Sequence, residues 1–174
     1  MSSMEATKKK MREAHFYLLK LEQEQAAIWR PEPEASDFYL SAFLSAARSV
    51  GDTIVAEEGE PYLEWYRVRR PNLTPEEDQL LRFTANQRVQ TVHVRGADVL
   101  QNIKQVPLHE LQRELEAKGG RIDVWGPPGT PQPQVPKYTL EFAAHPGIQA
   151  TRICRQYLQL MERLLAEYEG RVVA

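Results

Sequence analysis

Four long stretches of this 174-residue chain carry apolar residues at helical spacing, and a proline or a glycine follows each of them. In the first stretch, Met11, Ala14, Leu18 and Leu21 recur every three or four residues between charged side chains, which is typical of an amphipathic helix. Each such helix has an apolar face to bury, and four of them can bury these faces in one shared core. The pattern therefore predicts a mainly α-helical chain, and specifically an antiparallel four-helix bundle.

Prolines, glycines and capping residues set the bounds of the predicted helices. The clearest start is Thr74-Pro75-Glu76-Glu77, which combines a capping hydroxyl, a proline at the first helical position and a glutamate three residues after the cap. The long helices are predicted over residues 5–29, about 36–58, 75 to about 94, and from 146–147 to 170. Shorter helices are predicted over residues 62–70 and 107–118.

Two strands are predicted ahead of the last helix. Residues 121–125 and 138–142 alternate apolar and polar side chains, which indicates strands with one buried face. Residues 126–136, between them, include five prolines and two glycines, so we expect a stiff, extended loop there. The expectation is a β-hairpin at about 121–142, inserted before the last helix of a single domain that spans residues 1–174. Residues 97–106 show no clear pattern.

Composition and motifs argue against several classes of protein. No apolar run approaches the roughly 20 residues that span a bilayer, and residues 1–10 lack the apolar stretch of a signal peptide, so we expect a cytoplasmic protein without a membrane partner. The only cysteine, Cys154, lies on the apolar stripe of the last helix and is expected in the core. The chain has no glycine-rich phosphate loop and no paired Glu-x-x-His motif, so we expect neither a cofactor nor a metal.

One segment is locally basic although the formal net charge of the chain is −2. Residues 79–97 contain no acidic side chain but four basic ones, namely Arg82, Arg88, His93 and Arg95. Such a stripe can attract phosphate groups. The alternative is that these arginines pair with acids of neighbouring helices, such as Glu22, Glu24 or Glu57.

Two other basic features have a structural and a functional interpretation. Arg48 stands four residues before Asp52 among small residues, and we expect a buried ion pair with an acid of the first or third long helix; the alternative is contact with a ligand. An aromatic cluster is followed by three arginines: Tyr62, Trp65, Tyr66, Arg67, Arg69 and Arg70. Such a cluster can clamp single-stranded RNA. We favour the other interpretation, in which the rings pack against the open end of the bundle and the arginines face water.

The basic segment contains Arg88-Val-Gln-Thr-Val-His93, an arginine followed by four residues and a histidine. With the helix Ser41-Ala-Phe-Leu-Ser-Ala-Ala-Arg-Ser-Val50, this element resembles HEPN domains, which are α-helical, often dimeric, and include many metal-independent RNases. The resemblance implies a site where two protomers meet. There Arg88 would hold the scissile phosphate, and His93 would transfer a proton at the ribose 2′-hydroxyl or the leaving oxygen. Val89 departs from the polar residue that members commonly carry after the arginine.

The resemblance leaves two hypotheses for function. The first is a non-catalytic homodimeric module that binds RNA, a nucleotide or a protein partner, and Val89 and the proline-rich segment favour it slightly. The second is a toxin-like RNase that uses Arg88 and His93 across the dimer interface, with an antitoxin-like protein as its partner. In both, Arg82, Arg95 and Arg48 are the candidate binding residues.

Overall fold

In the computed structural model, the residues described are 4–26, 34–93, 99–117, 131 and 133–173, without the side chains of 88–93, 115 and 172–173. Over these residues the chain is mainly helical and has a small two-stranded antiparallel sheet. The elements are α1 (Glu5–Ala26), α2 (Ala35–Glu58), α3 (Glu60–Arg69), a 3₁₀ turn (Arg70–Asn72), α4 (Pro75–His93), β1 (Val99–Pro107), α5 (Leu108–Ala117), β2 (Gln134–Phe142) and α6 (Ala150–Val173). No described helix is long and apolar enough to cross a membrane.

The apolar stripes predicted for α1, α2 and α6 supply most of the core, and Leu80 and Leu81 of α4 pack against it while partly exposed. Every stripe residue predicted in α2, from Leu40 to Ile54, is buried, and so is every one in α6, from Ala150 to Tyr168. Cys154 is among them, and burial raises the pKa of its thiol. The helical periodicity therefore identified the faces that pack together.

The first helix, α1, runs antiparallel to both α2 and α6. Glu57, in the last turn of α2, accepts hydrogen bonds from the backbone amides of Ala6 and Thr7 in the first turn of α1. The contacts between α1 and α6 also run in opposite directions along the chain, from Lys8–Glu169 at one end to Glu22–Arg155 at the other. α1 packs on both α2 and α6, and α4 also packs on both of these helices.

The aromatic residues of α3 close one end of this arrangement. Tyr62 and Trp65 are buried, and both rings contact Tyr168 near the end of α6, with centroid distances of 5.2 and 5.4 Å. Arg69 donates two hydrogen bonds to Glu167, at 2.6 and 3.2 Å. The favoured interpretation of the aromatic segment as end packing is confirmed for these residues, although Arg69 is paired rather than free in water.

The sheet differs from the predicted hairpin. β2 pairs with β1, in a register that runs from Val99 opposite Phe142 to Pro107 opposite Gln134. The partner predicted for it, residues 121–125, lies outside the described residues, and residues 134–136 of the predicted loop belong to β2. The sequence did not predict β1 because its apolar and polar side chains do not alternate. Leu100 and Ile103 are both exposed, and Val106 is the only buried residue of the strand.

Several helix bounds also differ from prediction. Pro107 ends β1, and α5 begins one residue later at Leu108, whose backbone amide donates to the carbonyl of Pro133. The last helix begins at Ala150 because residues 143–149 form a turn in which Gly147 has a φ of 81°, a left-handed conformation that glycine adopts without strain. It continues past Gly170 to Val173.

Candidate nucleic-acid interface

The junction of α3 and α4 is held by the predicted capping box. The backbone amide of Glu77 donates to Thr74 Oγ1 at 3.2 Å, and the backbone amide of Thr74 donates to Glu77 Oε2 at 3.0 Å. Arg163 of α6 donates to the other oxygen of Glu77 at 2.6 Å. The amide of Thr74 and the guanidinium of Arg163 hold the pKa of Glu77 below its ordinary value. The start of α4 is therefore fixed both locally and against α6.

This junction forms an open concavity of about 650 Å³, which we call the arginine cleft: Arg67, Arg70 and Arg82 around Asp78, with Tyr66 on the wall. Arg67 and Arg70 come from the end of α3 and the 3₁₀ turn, and Arg82 from the second turn of α4. Only a short turn separates the two helices, so their arginines face the same space. The cleft combines part of the acid-free segment with part of the aromatic segment.

The guanidinium groups outnumber the acids in the arginine cleft. Asp78 contacts two of them, with Arg70 Nε at 3.3 Å from Oδ1 and Arg82 Nε at 2.7 Å from Oδ2. The third, on Arg67, is 72% exposed and lies 3.7 Å from Glu60. Three cations against the single carboxylate that lines the cleft leave it positive, and guanidinium groups are strong, geometrically specific ligands of phosphate.

Tyr66 is the aromatic group of the cleft. Its ring stacks on Tyr62, with a centroid distance of 5.8 Å and an interplanar angle of 18°. Tyr62 itself is buried, and burial raises the pKa of its hydroxyl. The ring of Tyr66 is thus held by the core while its side chain remains partly exposed beside Arg67 and Arg70. A base that stacked on it would meet a fixed surface.

The predicted catalytic residues, Arg88 and His93, both lie on α4, but their side chains are not among those described. Arg88 and His93 belong to the last two turns of the helix, which is α-helical without interruption from Pro75 to His93. Five residues of regular helix separate their Cα positions by about 140° around the axis and about 7.5 Å along it. Their side chains lie outside the described residues, and so does Arg95. The shared pocket therefore stays a prediction.

The other candidate arginines have acidic partners that differ from those expected. Arg82 is 68% exposed and pairs with Asp78 of its own helix, one residue before the acid-free segment begins. The prediction of a buried ion pair for Arg48 is wrong: its side chain is 45% exposed and lies 3.5 Å from Asp52, four residues further along α2. Arg48 does not line the arginine cleft. An exposed position with a partner one turn away lets a long side chain keep its charge in water.

Two of the acids suggested as partners of the basic segment have other partners. Glu57 binds the first turn of α1, and Glu22 pairs with Arg155 of α6. The sequence-based prediction groups Arg67 and Arg70 with the aromatic segment and does not place them beside Arg82. The sequence does contain an indication that these arginines are close to Arg82, because Thr74-Pro75 places the start of α4 only a few residues after Arg70.

The chemistry of the candidate interface is that of an anion site. Among the described residues, no group of three or more His, Cys, Asp or Glu is placed to hold a metal ion. The arginine cleft offers guanidinium donors and one aromatic face, a combination found where proteins bind single-stranded nucleic acid. No protein-family model matches the chain, and no curated protein or solved structure shows significant similarity to it.

Proposed function

We propose that this chain is a non-catalytic, HEPN-like homodimeric module that binds single-stranded RNA through the arginine cleft. The observation that carries the proposal is the convergence of Arg67, Arg70 and Arg82 beside the partly exposed side chain of Tyr66. Phosphate groups would pair with the guanidinium groups, and a base would stack on the ring. Asp78 holds Arg70 and Arg82 in place before a ligand arrives.

The fold that we propose for this module is an antiparallel four-helix bundle. Packing of α1 on α2, α2 on α4, α4 on α6 and α6 on α1 closes a ring of four long helices. Glu77 contacts Arg163 while Phe83, further along α4, lies against Phe142 just ahead of α6, so α4 is antiparallel to α6. This ring, with the sheet and α5 added between α4 and α6, supports the bundle with an insertion.

RNA binding is tested by fluorescence anisotropy with a labelled single-stranded RNA of mixed sequence. The variant Arg67→Gln/Arg70→Gln/Arg82→Gln should bind at least tenfold more weakly than the parent. The slope of log K, where K is the association constant, against the logarithm of the salt concentration should also be smaller in magnitude by about 2. Each phosphate contact on a single strand contributes about 0.7 to this slope, and the variant loses three such contacts. Equal affinity and equal slope for parent and variant would contradict the proposal.

A matched control separates the arginine cleft from general charge. The variant Arg12→Gln/Arg113→Gln/Arg171→Gln removes the same number of positive charges from exposed positions that do not line the cleft. It should keep the affinity of the parent within about twofold, because the Debye length of about 8 Å at physiological salt screens distant exposed charges. If both triple variants lose affinity equally, the binding is non-specific and the cleft is not the site.

The RNase is the second candidate, and one geometric relation favours it. Position 93 lies eleven residues after position 82, and at 100° a residue these positions fall within about 20° of each other around α4. RNA in the arginine cleft that followed this face would therefore approach the position of His93. Arg88→Ala/His93→Ala and the parent would be incubated with mixed RNA in a chelator. Cleavage by the parent alone would support the RNase and overturn the non-catalytic assignment, while inertness of both would remove the RNase.

The homodimer is tested by sedimentation equilibrium. A dimer would fit both candidate functions, and a strict monomer would exclude a site shared between protomers. A dimer that forms only with a second, antitoxin-like protein chain would instead favour the toxin hypothesis. The purified chain alone should therefore be measured first.

A further inference from the structure

A second cleft lies at the other end of the long helices, where α1 ends and α6 begins. Its volume is about 340 Å³, and its walls come from α1, α5, β2 and the first turns of α6. Small-molecule sites in proteins occupy about 300–1,000 Å³, so this cleft has room for a small ligand. Its polar and charged lining residues include Glu22, Gln25, Glu114, Lys137, Thr139, Thr151, Arg152 and Arg155.

The charges of the second cleft leave one cation without a partner. Lys137 forms an ion pair with Glu114, and Arg155 forms one with Glu22. The guanidinium of Arg152 has neither an ion pair nor a hydrogen bond to any other described residue, and the side chain is exposed. Three cations against two carboxylates leave one positive charge in the cleft, and it belongs to Arg152.

An amide donor of the second cleft is also without a partner. Gln25 lies in the last turns of α1, and its Nε2 is buried with no hydrogen-bond acceptor among the described residues. A buried donor without an acceptor is destabilising. The terminal amide turns about a soft torsion, so a small rotation would present Nε2 to an acceptor inside the cleft. Thr139 and Thr151, which carry hydroxyl groups, line the same cleft.

We propose that the second cleft binds a small organic phosphate. The phosphate group would pair with the guanidinium of Arg152 and accept hydrogen bonds from Gln25 and from the hydroxyl of Thr151. These donors come from two different helices, and with Thr139 from β2 they approach from three directions, which suits a tetrahedral phosphate better than a planar carboxylate. Lys137 and Arg155 would stay paired with Glu114 and Glu22, so the net positive charge that meets the phosphate is that of Arg152.

The probe for this proposal is inorganic phosphate, titrated at constant ionic strength with amide NMR as the readout. The amides of Thr151 and Arg152 should shift and saturate in the parent. Arg152→Gln should weaken the binding at least tenfold. Arg171→Gln, which removes the same charge at the far end of the same helix, should leave it unchanged. Acetate should produce weaker shifts than phosphate at equal concentration; stronger shifts with acetate would overturn the phosphate assignment.

Gln25→Met tests the proposal without relying on charge. Methionine has a similar length and removes the unpartnered donor, so the free protein should melt at the same or a higher temperature while phosphate binding weakens. Linear shifts without saturation, or saturable binding that neither Arg152→Gln nor Gln25→Met weakens, would overturn the proposal. Arg152→Gln should leave RNA binding at the arginine cleft intact, so this proposal and the proposed function can fail separately.

Discussion

The imidazole Nε2 of His15 lies 2.6 Å from Oε1 of Glu162, and this contact is the middle one of three that join α1 to α6. Seven residues before His15, Lys8 contacts Glu169 at 2.8 Å, and seven residues after it, Glu22 pairs with Arg155. Seven residues are about two helical turns, so the three contacts follow one face of each helix. They form a regular ladder between antiparallel helices.

The ladder favours the observed register of α1 and α6 over registers that are shifted by two helical turns. A slide of two turns in one direction would bring Glu22 opposite Glu162, and a slide in the other direction would bring His15 opposite Arg155. The two carboxylates of the first slide would repel each other, and the second slide would replace the acidic partner of His15 by a guanidinium, so both wrong registers are disfavoured. The side chains are about half exposed, however, and exposed ion pairs contribute little to stability.

We therefore expect a small energetic coupling between His15 and Glu162. A double-mutant cycle with His15→Ala and Glu162→Ala, measured by urea unfolding at neutral pH, should give a coupling energy below about 1 kcal/mol. A coupling of several kcal/mol would show that the ladder contributes to stability as well as to register.

Two phenylalanines of α2 provide a matched test of the core. Phe43 is fully buried, whereas Phe38 is 57% exposed on the same helix. Phe43→Ala should lower the free energy of unfolding by about 3–5 kcal/mol, because it removes buried apolar surface and leaves a cavity. Phe38→Ala should change it by no more than about 0.5 kcal/mol. Similar losses in the two variants, measured by chemical denaturation, would mean that the exposed face of α2 is covered in solution.

The helical part of the fold could be predicted because its information is local. Leu40, Phe43 and Val50 recur at the period of a helix, and Thr74 and Glu77 carry a start signal within four residues. Local sequence information of this kind could predict neither β1 nor its pairing with β2. The pairing joins residues far apart in the chain, and the exposed Leu100 and Ile103 break the alternation that identifies a strand.

The candidate interface was predicted only in part, for a related reason. Arg82 was identified from the absence of acids around it, which is a local property. Its position beside Arg67 and Arg70 depends on the angle at which α3 meets α4, and contacts between residues distant in sequence, such as Arg163 with Glu77, help to set that angle. The same holds for Arg152, whose unpaired charge becomes apparent only when Glu22 and Glu114 are seen to be paired with other cations.

The capping box of α4 predicts the effect of removing a single hydroxyl. Thr74→Ala takes away the acceptor for the backbone amide of Glu77 and should cost about 1 kcal/mol of unfolding free energy. Thr74→Ser keeps the hydroxyl and should retain most of the stability. Urea unfolding of the three proteins provides the comparison, and equal losses for alanine and serine would show that the hydroxyl is not what stabilises the helix start.

The carboxylate of Glu57 predicts how stability depends on pH. The hydroxyl of Thr7 donates to it at 2.6 Å, and this hydrogen bond, with those from the backbone amides of Ala6 and Thr7, holds the pKa of Glu57 below its ordinary value of 4.5. The unfolded chain therefore binds the proton more readily than the folded one. The stabilising contribution is complete above the ordinary pKa and is lost as the pH falls through the lower folded pKa.

Glu57→Gln tests this dependence because glutamine keeps an oxygen acceptor but does not titrate. The unfolding free energy of the parent should exceed that of the variant at neutral pH, and the difference should shrink as the pH falls below 4.5. Urea unfolding at a series of pH values from neutral to below 4.5 measures this difference in unfolding free energy. Glu64→Gln serves as the control and should show no such narrowing, because this side chain of α3 is exposed and its carboxylate contacts no cation or hydrogen-bond donor among the described residues. A parent-to-variant difference for Glu57 that stays constant with pH would mean that the carboxylate charge does not stabilise the start of α1.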